Sequence, residues 1–142
     1  MRQKGFTLIE VLIAMLVLAI GLLGLAGLMA TSMRNNHSAY HRTQAVWLAN
    51  DMIDRMRANR AVALSGTNNY VIAIGLATSA SAGMAGTDVN SWKTLLGRTL
   101  PAGDGSIAVT PASRAATVII QWNDARGSQG STTQQFRVDT QL

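Results

Sequence analysis

The sequence predicts an α+β fold, one long N-terminal helix packed on a small antiparallel β-sheet. Three features of the chain point there. From Val11 to Met33 no residue is charged. From Arg34 to Arg60 there is neither proline nor glycine, and apolar residues recur at helical period. Beyond residue 105, three short stretches rich in β-branched residues are separated by turn-forming segments.

The uncharged run is long enough to cross a membrane. A helix rises about 1.5 Å per residue and a bilayer core is about 30 Å thick, so roughly 20 apolar residues suffice. Arg2 and Lys4 precede the run, which favours an N-terminus on the cytoplasmic side and export of the remainder. An ordinary secretory signal has a shorter apolar core that ends in a small-residue cleavage site; here the run continues and Gly5 comes before it. Glu10 stands at the start of the run. An unpaired carboxylate at membrane depth costs about 2.5–3.5 kcal/mol and calls for a partner. Two readings stay open on chemistry alone: a single-span anchor with an acid near the interface, or an acid that is paired.

Lys4-Gly5-Phe6-Thr7-Leu8-Ile9-Glu10 resembles the leader of type IV pilins and type II secretion pseudopilins. That motif is a short basic leader ending in glycine, then Phe-Thr-Leu-Ile-Glu and an apolar helix. The resemblance implies the type IV pilin fold and a leader of residues 1–5, cut between Gly5 and Phe6 by a membrane-embedded prepilin peptidase. It also implies N-methylation of Phe6, and pairing of Glu10 with the Phe6 amine of a neighbouring subunit during assembly. Physics agrees, since a carboxylate and an ammonium attract far more strongly in low dielectric than in water. Residues 6–33 then form the transmembrane and filament-core half of the helix and 34–60 its amphipathic half. Residues 61–142 form a periplasmic head.

With 142 residues, the chain keeps about 110 outside the apolar run, enough for one small domain. It has no cysteine, which removes disulfides, thiolate catalysis and cysteine-ligated metal together. Many pilins close a C-terminal loop with a disulfide; this head depends on packing and hydrogen bonds. Loss of Arg2 and Lys4 with the leader leaves ten basic residues against seven acids. The remaining basic residues are spread from Arg34 to Arg137 with no dense run, which reads as a solvated surface and is too mild to argue a nucleic-acid partner by itself.

Gly21, Gly24 and Gly27 recur every third residue in the apolar run. They soften the helix, at about 1 kcal/mol each relative to alanine in water, and let other helices approach closely. Ordinary membrane-helix composition accounts for them equally well. Beyond the membrane, Leu48, Met52 and Met56 fall at four-residue steps beside Ala45, Ala49 and Ile53, an apolar stripe on which a head can sit. Asp51 and Arg55 are at i,i+4 in the favourable order. One helix from about Phe6 to about Asn59 is expected. The segment LANDMIDRMRANR, Leu48 to Arg60, resembles the PilV-type minor pilins, also described as type IV pilus modification proteins. This implies a minor pilin that primes pilus assembly near the tip, anchored in the inner membrane before assembly and on the cell surface after it. Its implied partners are other minor pilins, the major pilin and a tip adhesin, with roles in twitching motility and adhesion. A secretion pseudopilin and a DNA-uptake pilus subunit remain the alternatives.

Ala61 to Thr87 is rich in small and polar residues. Only Tyr70 to Ile74 reads as a strand there, and ATSASAGMAGT reads as a surface loop, either a subunit contact or a plain linker. Asp88 is expected to cap a short helix with Val89, Trp92, Leu95 and Leu96 on one face and Gly97 as its stop. Leu100 to Gly105 is a turn cluster. Strands are expected at Ser106–Thr110, at Thr117–Trp122 as the central one, and at Gln134–Thr140 with Phe136 and Val138 on one face. Asn123 to Gly130 is the turn-rich connector between the last two.

No catalytic constellation emerges, so the chain is not expected to be an enzyme, and no cofactor is implied. His37 and His41 share a helix face at i,i+4, a spacing that can bind zinc, but the glutamate of the zinc-protease pattern and a third ligand are missing. No phosphate-binding loop and no G-x-S-x-G serine occur. Asp104, Asp124 and Asp139 show no sign of pairing in sequence. Trp47, Trp92 and Trp122 read as core or interface residues.

Overall fold

A computed structural model describes residues 5–67, 69–127 and 130–142. Helix α1 runs over Leu8–Ala58, 51 residues and about 77 Å at the standard rise. A single turn, α2, follows at Arg60–Ala63, and α3 covers Gly83–Thr99. Strands β1 (Asp104–Thr110), β2 (Ala115–Trp122) and β3 (Gln134–Gln141) form one antiparallel sheet in the order β1-β2-β3. The α+β class and the central place of the β-branched strand are as the sequence predicts. Val118 pairs with Ile107 on one side and Val138 on the other.

The two halves of α1 differ in what surrounds them. Every residue from 5 to 37 is exposed. Past that point Ser38, Ala45, Leu48, Ala49, Met52, Ile53 and Met56 are buried, at helical spacing. Burying a side chain of the size of Leu48 or Met52 stabilises by roughly 1.5–3 kcal/mol. Trp92 on α3 locks the packing, because its buried indole N–H donates to the Leu48 carbonyl at 2.9 Å. Gly105 on β1 makes room for that ring: a Cβ there would lie 2.5 Å from it. Tyr70, Val89, Leu96, Ile107, Val118, Ile120 and Trp122 fill the space between helices and sheet.

Several local expectations are corrected. Tyr70 to Ile74 forms no strand; Ile72 exchanges one pair of backbone hydrogen bonds with Ile107 and the ladder stops. Side chains take over from there, since the Lys93 ammonium donates to the Ala73 carbonyl and the Gly75 N–H donates to Asp104. Gly83 to Thr87 is the first turn of α3, not loop. Small residues pack there by close approach: a Cβ on Gly86 would sit 1.8 Å from the Ser81 carbonyl oxygen. Asp88 therefore lies inside the helix and caps nothing. Gly97 does not stop it either; the helix continues to Thr99, and Pro101 follows the extended Leu100. On α3 Lys93 is buried whereas Leu95 is 40% exposed. Of the three tryptophans, Trp92 and Trp122 are buried and Trp47 is 63% exposed, outside the core of the head.

Met52→Ala should destabilise the head by about 2–5 kcal/mol, the usual cost of truncating a buried methionine. Trp47→Ala should change stability by no more than about 0.5 kcal/mol. Denaturant titration of the full chain in detergent, followed by tryptophan fluorescence, compares the two; equal losses would contradict the packing described.

Candidate functional site

Among the described residues, Gly5, Phe6 and Glu10 lie on the surface of the chain. Residues 1–4 of the expected leader are outside the described residues. Gly5 and Phe6 precede α1, with Phe6 85% exposed. Thr7 is the extended N-cap residue, and Glu10 lies exposed in the first helical turn. Thr7 and Glu10 have the spacing of a capping box, a signal the sequence reading passed over. Thr7 nevertheless makes no side-chain cap hydrogen bond, and Glu10 has no side-chain partner among the described residues. The helix dipole favours a carboxylate at this end, but among the described residues no cation reaches it. At Gly21, Gly24 and Gly27 nothing stands within 4 Å of an added Cβ. An 18-residue window of α1 reaches a mean hydropathy of 2.8 with none of it buried, long and apolar enough to cross a membrane. Leu48, Met52 and Met56 are placed differently, turned into the head at 6%, 0% and 0% exposure.

A second feature lies where α1 leaves its exposed half. A groove of about 740 Å³ runs between Ala30–His41 of α1 and the β2–β3 connector, Asn123–Gly127. The connector is held by backbone bonds from Asn123 N–H to Pro101 and from Asp124 N–H to Ser131, both 2.8 Å. Asp124, unpaired in the sequence reading, is 3% exposed and accepts the Ser38 hydroxyl at 2.6 Å. His41 Nδ1 lies 3.7 Å from the same carboxylate and makes no hydrogen bond among the described residues. Gly127 leaves room for the carboxylate, since a Cβ there would fall 2.5 Å from an Asp124 oxygen. His41 thus turns toward the head rather than lying on the outer helix surface. Arg34, His37 and Arg126 stand exposed around the groove. Among the described residues no group of three or more His, Asp or Glu could hold a metal ion.

The remaining charged clusters are closed upon themselves. Buried Lys93 donates to Asp104 and to the Gly105 carbonyl, the latter at 2.9 Å. Burial alone would raise the Asp104 carboxyl. The Lys93 hydrogen bond, the Gly75 and Gly105 N–H groups and the Lys93 charge outweigh it and hold the carboxyl below its ordinary range. Tyr70 donates to Asp88 at 2.8 Å, and Arg55 bridges Asp88 and Asp51 at 3.4 and 3.0 Å. Burial chiefly, with Asp88 adding, raises the Tyr70 hydroxyl despite the opposing Asn59 contact. On the exposed face of the sheet, Arg137 and Thr117 lower Asp139 to about 2. Lys93, Asp104, Tyr70 and Asp88 thus find their partners within the head, and the Arg137–Asp139 pair lies on its surface.

Comparison with known families places two matches end to end. Residues 1–26 match the prokaryotic N-terminal methylation motif, and residues 27–87 match the family described as type IV pilin Tt1218. No curated protein and no solved structure matches the chain. The two matches together support the type IV pilin family and coincide with the exposed helix, its buried continuation and the start of α3.

Asp104 sets an acid limit on the head. Its carboxyl is lowered on folding, so its contribution is present above the unfolded value, about 3.9. That contribution is lost as pH falls through the lower folded value. Asp104→Asn should weaken the head at neutral pH and flatten this part of the acid unfolding curve. Tryptophan fluorescence of the full chain against pH measures both.

Proposed function

We propose that this chain, a type IV pilin as both matches support, is a minor pilin that takes part in priming pilus assembly. A type IV pilin carrying the prepilin methylation motif is a pilus subunit, and the finer assignment follows from the residues. Prepilin peptidase cuts after Gly5, and the new Phe6 amine is methylated. The exposed apolar half of α1 holds the head at the inner membrane until the subunit joins the filament. There the same surface is covered by helices of neighbouring subunits, with Gly21, Gly24 and Gly27 allowing close approach. The Leu48 to Arg60 segment supports the PilV-like assignment, and with it a place near the tip beside other minor pilins, the major pilin and an adhesin. Motility and adhesion then belong to the assembled pilus.

The observation that carries this reading is Glu10. It is an exposed acid at the head of an apolar helix and has no partner among the described residues of its own chain. In an apolar filament core such a group is stable only beside a cation, and the Phe6 amine of the next subunit supplies one. The Arg2 and Lys4 charges leave with the leader.

Glu10→Ala should leave leader removal intact and cut recovery of the subunit in sheared, purified pili by tenfold or more. Unchanged incorporation would contradict the pairing. Gly5→Leu should leave the leader attached, so the membrane-bound form should keep the mass of the chain beginning at Met1. A processed mass for that variant would place the cleavage elsewhere.

A further inference from the structure

We propose that the groove between α1 and the β2–β3 connector binds the headgroup of an anionic phospholipid while the chain is in the membrane. The proposal rests on the membrane-anchored reading above and adds a ligand to it. Position is the first argument. The 23 uncharged residues from Val11 to Met33 extend about 34 Å as a helix, close to the thickness of a bilayer core. Arg34 therefore stands at the edge of the hydrocarbon. The groove begins one turn below it, at Ala30, and ends two turns above, at His41, so it crosses the headgroup layer.

Chemistry follows the same gradient. Ala30 and Met33 line the lower end, where the first carbons of an acyl chain lie. Arg34 from α1 and Arg126 from the connector stand at the groove from opposite walls, and guanidinium groups suit a phosphate in pairs. The one carboxylate among the described residues of the wall, Asp124, is buried and already accepts the Ser38 hydroxyl beside His41. That arrangement fixes the connector, and with it Arg126, against the helix. His37 and His41 add no negative charge. The groove thus joins an apolar floor to a cationic rim at the level of lipid phosphates.

Native mass spectrometry of the full chain, released from bilayers of equal phosphatidylglycerol and phosphatidylethanolamine, tests this. Phosphatidylglycerol adducts should predominate by about fivefold or more, as expected for basic groups near an anionic surface. Arg34→Gln with Arg126→Gln should bring the two lipids to parity, while the remote control Arg98→Gln on α3 should keep the preference. Circular dichroism and bilayer insertion confirm that each variant is folded and embedded. Insertion without any preference overturns the proposal alone; failure to insert overturns the anchored reading and this proposal together. Displacement of the lipid by inorganic phosphate would make the groove a free-anion site, and dimers without lipid adducts would assign it to a second copy. Either result overturns the lipid assignment.

Discussion

The stripe from Ala45 to Met56, pressed against α3 and the sheet, is the contact on which the rest of the molecule depends. The Trp92 indole N–H joined to the Leu48 carbonyl fixes its rotation about the helix axis. Because α1 is one unbroken helix, fixing one half fixes the other. Which face of Leu8 to Met33 points away from the head follows from a packing interaction, at Leu48, 15 or more residues further along. A rigid helix transmits orientation over a distance that a flexible linker would not.

This explains a division of labour among the polar groups. Within the head, Lys93, Asp104, Tyr70, Asp88 and Arg55 find partners in the same chain. A buried charge without a partner would cost more than a marginal domain of this size can tolerate. On the exposed half of α1, the opposite holds. Among the described residues the Glu10 side chain has no partner, and nothing stands within 4 Å of a Cβ added at Gly21, Gly24 or Gly27. A chain built this way is complete as a fold and leaves a long apolar surface uncovered.

Local patterns were legible where a residue's environment is set by its near neighbours in sequence. The four-residue steps of Leu48, Met52 and Met56, the β-branched run Val118-Ile119-Ile120 and the alternation around Phe136 and Val138 each announce their element. Errors arose where an environment is set from far away. ATSASAGMAGT looks too poor in apolar bulk to pack, yet Ala85 is buried and Gly86 fits closely against the Ser81 carbonyl because small residues permit contact. Tyr70 to Ile74 has strand composition, but the side chains of Lys93 and Asp104 capture its backbone after one bridge. Asp104 and Asp124 looked unpaired because their partners Lys93 and Ser38 come from other elements; Asp139 differs, since Arg137 stands two residues away on the same face of its own strand and the pairing was open to a sequence reading.

By itself the sequence determined the long helix, the small sheet and the leader motif, because helical period, β-branching and a charge-free run are properties of consecutive residues. It also singled out Glu10, since an acid against an apolar background is conspicuous without coordinates. The tertiary structure alone decided that Trp47 faces outward, that Lys93 is buried, and that Ser38 and His41 meet Asp124 across 86 and 83 positions of sequence. The physical reason is rotational. A helix presents its residues around a full circle, and only the partner that packs against one side determines which of them face water, lipid or core.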